Sequence, residues 1–149
     1  MKKILLSCCL VLAIAFSGCS SDDSGGNNSV VTAKIGGVDY IFNTVNVDQE
    51  TYTEGDYTYT DVIVTASINN SPDRRISFVI EEGVVGLEAS WYFAYFNNEM
   101  AHPKMDDFQM SVTENTGNKI VGTFAGQVQA DAEPFNIIPV QNGTFTIRY

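Results

Sequence analysis

From residue 30 onward, apolar and polar positions alternate along the chain with a period of two. The apolar stretches are rich in Val, Ile, Thr, Tyr and Phe, and clusters of Gly, Asn, Asp and Pro separate them. This pattern is typical of β-strands joined by turns, and no window carries the apolar stripe and end caps of an amphipathic helix. The pattern therefore predicts an all-β domain, an antiparallel β-sandwich or barrel of about nine short strands.

Clusters of turn-forming residues set the limits of these strands. The clusters are Gly36-Gly37, Gly55-Asp56, 69–73, 115–118 and Asn142-Gly143. Glycine and asparagine are common there because they tolerate the backbone angles that a tight turn requires. The predicted strands are 31–36, 39–50, 57–68, 74–81, 89–97, 108–114, 119–129, 135–140 and 143–149.

The turn at Gly55-Asp56 predicts the register of one hairpin. A two-residue loop pairs residues equidistant from the turn, so that Val47 faces Val64 and Glu50 faces Asp61. One side of the hairpin is then aliphatic, and we expect it to be core. The other side carries acidic residues and tyrosines, namely Asp48, Glu50, Tyr52, Glu54, Tyr57, Tyr59 and Asp61.

The segment 89–97 is apolar or aromatic at both odd and even positions. Simple alternation places Trp91 on the same side as Phe93 and Tyr95. We expect one side of this strand to lie in the core and the other to be half covered, as in a strand with neighbours on both edges.

The N-terminus has the features of a bacterial export signal. Two lysines precede an apolar run over 4–16, which is too short to span a bilayer as a helix. The run ends in Ala15-Phe16-Ser17-Gly18-Cys19, which resembles the lipobox of bacterial lipoproteins, where the cysteine is acylated on its sulfur and becomes the new N-terminus. The resemblance implies a signal peptide at 1–18 and a membrane anchor of acyl chains at Cys19.

Residues 19–29 are expected to form the acylated cysteine and a flexible tether, because 20–29 contains no strongly apolar residue. Asp22 and Asp23 follow the cysteine closely and resemble the export signal of Bacteroidota lipoproteins. That signal directs transfer to the outer face of the outer membrane. The resemblance implies an outer-membrane lipoprotein exposed at the cell surface, and an anchor facing the periplasm is the alternative.

Both ends of the expected domain, 30–149, resemble small Bacteroidota lipoproteins of unknown function. The segment 32–40 is similar to their opening TAKIxGVxF, residues 122–124 to their GTF strand, and 141–149 to their closing NGxFxxxY. These motifs consist of turn glycines and core aromatics. The resemblance therefore implies an all-β lipoprotein domain and assigns no catalytic residue.

Charge and composition restrict the partners. The chain has 8 Lys and Arg against 18 Asp and Glu, a net charge of −10, and loss of the two lysines in the signal peptide would make it −12. Such a charge opposes binding to nucleic acid and to anionic membrane surfaces. One histidine and a single cysteine beyond residue 18 do not provide a disulfide or a Cys/His zinc site.

The acidic, tyrosine-bearing side of the hairpin is the leading candidate for a binding surface. Tyr52, Tyr57 and Tyr59, with Trp91 of the aromatic segment, offer flat rings and polar groups that suit a glycan or an envelope protein. The alternative is that another strand covers this side, because tyrosine is also a good strand residue.

The same side offers carboxylates for a calcium ion. Asp48, Glu50 and Asp61 supply the hard oxygens that Ca²⁺ prefers, and no other cofactor is expected. In an acidic protein, carboxylates also meet by chance. The lone His102, near Glu99, Asp106 and Asp107, is a weaker candidate for metal binding or acid–base chemistry, and the alternative is a solvated loop histidine.

Motifs of the common enzyme classes are missing from the sequence. There is no G-x-S-x-G elbow, no H-E-x-x-H helix, no phosphate-binding glycine loop and no second histidine. We therefore expect a non-catalytic, surface-anchored domain that binds a glycan or a protein. The alternative is a structural or accessory component of an envelope assembly.

Overall fold

A computed structural model of the chain describes residues 29–149. This part contains ten β-strands: β1 (Val30–Ile35), β2 (Val38–Phe42), β3 (Thr44–Glu54), β4 (Tyr57–Ile68), β5 (Ser71–Glu81), β6 (Ser90–Asn97), β7 (Met100–Pro103), β8 (Gln109–Thr116), β9 (Lys119–Gln129) and β10 (Ile137–Arg148). No helix in it is long and apolar enough to cross a membrane. The predicted signal peptide at 1–18, Cys19, Asp22 and Asp23 lie outside the described residues.

The strands form two antiparallel sheets of five strands each. The first sheet has the order β2-β1-β10-β9-β8, and the second has the order β3-β4-β5-β6-β7. Buried apolar side chains from both sheets form one core. The architecture is an unclosed, sandwich-like pair of sheets, so the prediction of an antiparallel all-β domain is confirmed and the sandwich alternative applies.

Aromatic rings connect the two sheets across the core. The ring of Phe78 in the second sheet lies 5.1 Å from that of Phe145 in the first, and Phe93 lies 5.1 Å from Phe124, measured between ring centroids. Phe93 also packs on Phe108 at 4.3 Å. Such pairs add roughly 0.5–1.5 kcal/mol each beyond the burial of their area, and they place the second sheet firmly on the first.

Two glycines of the first sheet each face a phenylalanine on the neighbouring strand. In the pairing of β9 with β10, Gly122 lies opposite Phe145 and Gly143 lies opposite Phe124. A methyl group on either glycine would collide with the facing ring. The GTF and NGTF segments are therefore reciprocal, because the glycine of each makes room for the phenylalanine of the other.

The predicted strand 39–50 is wrong as a single element. The chain forms β2 and β3 there, and these two strands lie in different sheets. Asn43 separates them, and its side-chain amide binds the side chain of Asn69 at 2.8 Å. Alternation of apolar and polar residues continues through the crossover without Gly or Pro, so no local signal marked the change of sheet.

The two strands predicted at 135–140 and 143–149 form one strand, β10. The Asn142-Gly143 pair is a bulge and not a turn, since the register of β10 against β9 shifts between Val140 and Gly143. Asn142 has φ 52, a left-handed conformation that asparagine tolerates in bulges as well as in turns. Turn-like composition therefore did not distinguish the two.

His102 lies on β7, a short strand that the sequence did not predict. Its side chain is buried, and its ring lies 5.8 Å from that of Tyr95 on β6. Its Nδ1 lies 3.2 Å from the carbonyl oxygen of Met100. The expectation of a solvated loop histidine was wrong, because the hairpin of β6 and β7 folds this side chain against the sheet.

Candidate binding face on the second sheet

The register predicted for the hairpin of β3 and β4 is confirmed. Val47 pairs with Val64, Glu50 with Asp61, and both strands run antiparallel up to the turn at Gly55. Val62, Val64 and Ala66 of β4 are buried in the core as expected, and Ile68 is partly buried against it. Residues 48–58 are exposed at odd and even positions alike, so the outer end of the hairpin extends beyond the covered part of the sandwich.

Three tyrosines stack along one side of this hairpin. Tyr52 and Tyr59 are directly paired across the strands, with ring centroids 5.5 Å apart and planes at 29°. Tyr57 stacks on Tyr59 at 5.7 Å and 24°. Tyr59 is half-buried between the others, whereas Tyr52 is 41% and Tyr57 is 58% exposed. We call Tyr52, Tyr59 and Tyr57 the tyrosine ladder.

Trp91 joins this surface because of a bulge in β6. Tyr92 pairs with Val79 and Ser90 pairs with Ile80, which leaves Trp91 as the additional residue. Its side chain is 61% exposed, and its Nε1 donates a hydrogen bond to Oδ1 of Asp61 at 3.4 Å. Simple alternation was wrong in placing Trp91 on the same side as Phe93 and Tyr95, which are both buried, because the bulge reverses the direction of this side chain.

A row of three carboxylates crosses the same side of the sheet. Glu50 of β3 pairs with Asp61 of β4, and Asp61 pairs with Glu81 of β5. The hydroxyl of Tyr52 donates a hydrogen bond to Glu50, and that of Tyr57 donates one to Glu81 at 2.6 Å. These charge-assisted hydrogen bonds hold the rings of the ladder in place.

The carboxylates raise the pKa values of the tyrosines. The pKa of Tyr52 rises above its usual 10.0 chiefly because its hydroxyl donates to Glu50, and that of Tyr57 rises chiefly because its hydroxyl donates to Glu81. For Tyr59 the first cause is desolvation of the phenol by its neighbours, followed by the charge of Glu54. All three therefore remain neutral hydrogen-bond donors at physiological pH.

An open groove of about 360 Å³ runs beside the ladder. Its walls are Glu54, Tyr57, Tyr59, Asp61, Glu81 and Trp91. Three of these side chains are acidic and three are aromatic, and no Lys, Arg or His from the described part of the chain lines the groove. The groove and the tyrosine ladder together form the acidic aromatic face.

The predicted calcium site is not formed. Asp48, Glu50 and Asp61 share the outer side of the hairpin. Glu50 pairs with Asp61, but Asp48 lies two residues before Glu50 along β3 and pairs with Ile63. Within residues 29–149 no group of three or more His, Cys, Asp or Glu side chains could hold a metal ion. Tyr52 and Trp91 instead donate hydrogen bonds to Glu50 and Asp61.

Sequence reasoning missed Glu81 as a member of this face. The residue lies at the end of β5, and only the register of β5 against β4 brings it beside Asp61. That register could not be read from the turn at Asn69-Asn70, because it shifts between Ser67 and Ile68. A correctly recognised turn would still have paired Asp61 with a different residue.

The outer side of the first sheet has a different chemistry. An open groove of about 440 Å³ lies there, and it is lined by small hydroxyl, amide and apolar side chains without any charged residue. Its polar residues include Gln109, Ser111 and Thr123. This groove thus lacks the carboxylates that line the groove on the second sheet, and it supplies positions for control variants.

No protein-family model matches this chain, and comparisons with curated proteins and with solved structures likewise found no match. The resemblance of its two ends to small Bacteroidota lipoproteins therefore stays a prediction. Inference about function rests on the chemistry of the acidic aromatic face.

Proposed function

We propose that this protein is a lipid-anchored protein of the outer-membrane surface whose β-domain binds a glycan or a protein partner without catalysing a reaction. The observation that carries the proposal is the tyrosine ladder with Trp91 beside it. Exposed aromatic rings in an ordered row are the residues that most often dominate binding energy at protein surfaces. A tyrosine side chain offers a large contact area, and few of its torsion angles have to become ordered on binding.

Preorganisation supports binding by this face. Glu50 and Glu81 hold the hydroxyls of Tyr52 and Tyr57, so these side chains already occupy one arrangement before a partner arrives. Ordering a side chain on binding otherwise costs about 0.5–1.5 kcal/mol. The carboxylates also present oxygens that accept hydrogen bonds from sugar hydroxyls or from protein donors.

The location rests on the resemblance at the N-terminus. The lipobox-like ending at Cys19 supplies an anchor, and Asp22 with Asp23 supplies the signal for surface exposure. Residues 20–29 separate Cys19 from the β-domain, so a large extracellular partner has access to the domain. A negative net charge is compatible with this arrangement, since the acyl chains and not the surface of the domain attach the protein to the membrane.

Binding to glycan arrays and capture of envelope proteins test the proposal. The full chain in nonionic detergent is compared with Tyr57→Ala, Trp91→Ala and the control Gln109→Ala on the first sheet. We expect a partner whose affinity drops at least about tenfold in the two aromatic variants, as for a hot-spot residue, and stays unchanged in the control. Binding that is equal in all four proteins would refute the proposal.

A long free strand edge favours a second function, that of a structural component in an envelope assembly. β3 has 11 residues, and in the described part of the chain it pairs with β4 alone. Such edges accept strands from other chains. This function predicts that the protein migrates on native gels as a complex of defined size, and that Tyr57→Ala leaves the complex intact.

A further inference from the structure

The free edge of β3 borders the tyrosine ladder. β3 is the outermost strand of the second sheet, and its outer part, residues 48–54, is exposed at every position and contains no proline. A straight exposed edge presents unpaired backbone N–H and C=O groups to any extended chain that approaches it.

The pairing of the hairpin shows which backbone groups are available. Glu54 and Tyr57 flank a two-residue turn, so they form a hydrogen-bonded pair, and alternate residues of β3 repeat this bonding towards β4. The carbonyl of Thr60 accordingly points the other way and accepts from Glu82 N at 2.8 Å. Gln49 and Thr51 therefore direct their backbone groups away from β4, to the free edge.

The side chains along this edge are acidic at regular intervals. Asp48, Glu50 and Glu54 occupy alternate positions of one side of β3, with Tyr52 between them. Alternate residues of a strand lie about 7 Å apart. An added antiparallel strand has the same spacing, so its alternate side chains would lie directly beside these carboxylates, where opposite charges stabilise the pairing.

No cation from the described residues pairs with the carboxylates of this face. The described residues form two ion pairs, Lys34 with Asp39 and Lys119 with Glu114, and neither involves the face. Asp61 is only 4% exposed, yet the one hydrogen bond that its side chain receives from the described residues is that from Trp91 to Oδ1. A carboxylate accepts several hydrogen bonds, and its second oxygen receives none from the described residues although Asp61 lines the groove.

In residues 29–149, the aromatic rings of the groove have no cation packed on them either. On the same sheet the guanidinium of Arg75 lies 4.0 Å from the ring centroid of Phe96. The guanidinium of Arg74 lies 5.3 Å from the ring centroid of Tyr40, on β2 of the first sheet. Among the described residues no Lys or Arg occupies this position over Tyr57 or Trp91. The negative faces of these rings are therefore open to a cation from outside.

We propose that the partner is an extended polypeptide segment that adds to the free edge of β3 and places Lys or Arg side chains on the acidic aromatic face. The inference rests on the proposed function of this face and narrows it to a basic polypeptide. A neutral glycan would leave the row of Glu50, Asp61 and Glu81 uncompensated, and an acidic partner would be repelled.

Calorimetric titration of the full chain in nonionic detergent tests this inference. The probe is a blocked eight-residue peptide of alternating lysine and threonine. Its counterparts are the same peptide with glutamate for lysine, the lysine peptide with methylated backbone nitrogens, and a hexamer of glucosamine. We expect binding of the unmodified lysine peptide alone, with an affinity that falls as salt concentration rises.

Charge and edge variants separate the two parts of the interaction. The double variant Glu50→Gln, Glu81→Gln should weaken binding of the lysine peptide about tenfold, because it removes two negative charges that attract the lysines. The control Asp131→Asn, at an exposed carboxylate between β9 and β10, should leave binding unchanged. Gln49→Pro removes a backbone N–H that faces the free edge, a substitution that edge strands tolerate. It should abolish binding, and Gln49→Ala, which keeps the N–H, should not.

Each contrary result overturns a defined statement. The inference would be overturned if the lysine peptide did not bind, if the glutamate peptide bound equally well, or if methylation of the backbone left binding unchanged. The methylated peptide tests backbone pairing with the wild-type protein, so this test remains valid even if Gln49→Pro fails to fold. Preferential binding of the glucosamine hexamer would indicate that the partner is a cationic glycan and not a polypeptide. None of these results affects the proposed function, which fails only if partner binding is insensitive to Tyr57→Ala and Trp91→Ala.

Discussion

At the scale of single residues, the two sides of the β3–β4 hairpin have opposite physical roles. Val64 is completely buried in the core, and Tyr57 on the other side is more than half exposed. Tyr59 is intermediate, because it stacks between two other rings. The same strand thus contributes to stability through one set of alternate positions and to the candidate binding face through the other.

The loss of stability on substitution at these positions should increase with the burial of the side chain. Val64→Ala removes two buried methyl groups and should lower the free energy of unfolding by about 1–3 kcal/mol. Tyr57→Ala should change it by no more than about 0.5 kcal/mol, and Tyr59→Ala should lie between, because it removes two ring contacts. Urea denaturation of the three variants measures the order. A Tyr57→Ala variant as unstable as Val64→Ala would place Tyr57 in the core.

The hydrogen bond from Tyr52 to Glu50 should appear in the ionisation of the phenol. Its folded-state pKa is raised above the usual 10.0, so the neutral phenol contributes stability that is present below pH 10 and is lost as pH rises through the folded pKa. Glu50→Gln removes the first cause and should move the pKa of Tyr52 back towards 10.0. Absorbance titration of the wild type and the variant compares them, and identical curves would contradict the bond.

At the scale of elements, the pairing of β9 with β10 depends on close approach. Gly122 lies against the ring of Phe145 and the backbone carbonyl of Ser111 on β8. A side chain at this position has no space to occupy, because backbone and ring lie on either side. The close packing of this strand pair therefore requires a residue without a side chain here, as well as the aromatic rings that fill the space.

Gly122→Ala should destabilise the protein by about 1–3 kcal/mol, since overpacking forces strands or rings to move. Gly117→Ala is the matched control, because nothing lies within 4 Å of the added carbon and the residue lacks a positive φ. The control should stay within about 0.5 kcal/mol of the wild type. Equal thermal midpoints of the two variants would show that the sheet has more room than the structure indicates.

Bulges explain several differences between the predicted and the observed registers and side-chain directions. The confirmed hairpin of β3 and β4 has an uninterrupted register, so the turn at Gly55 was sufficient to predict it. Bulges shift the register of β5, β6 and β10 by one or more residues. A shift of one residue moves a side chain to the opposite side of the sheet, which is why Trp91 was misplaced and Glu81 was missed.

At the scale of the whole molecule, the proposed location depends on acylation of Cys19. Cys19→Ser removes the sulfur that carries the lipid, and the variant should move from the membrane fraction to the soluble fraction of cells. Detergent partitioning of the two proteins measures this change. If the serine variant partitions as the wild type does, the protein is not anchored through Cys19.

Exposure at the cell surface should depend on Asp22 and Asp23. Replacing both by Ala should leave the protein anchored but protected from protease added to intact cells. Digestion of the wild type in the same experiment is the control, together with lysed cells in which both proteins are accessible. Continued digestion of the double variant in intact cells would identify the two residues as ordinary linker positions.

The sequence by itself determined the all-β class, the core side of β4 and the register of the first long hairpin. These features follow from alternation and from turns between neighbouring strands, which are local properties. The tertiary structure alone decided the rest: the crossing of the chain between sheets at Asn43, the outward direction of Trp91, and the meeting of Glu81 with Asp61. These features depend on bulges and on pairing between strands distant in sequence, whose energies are set by packing of the complete core and not by any short stretch of residues.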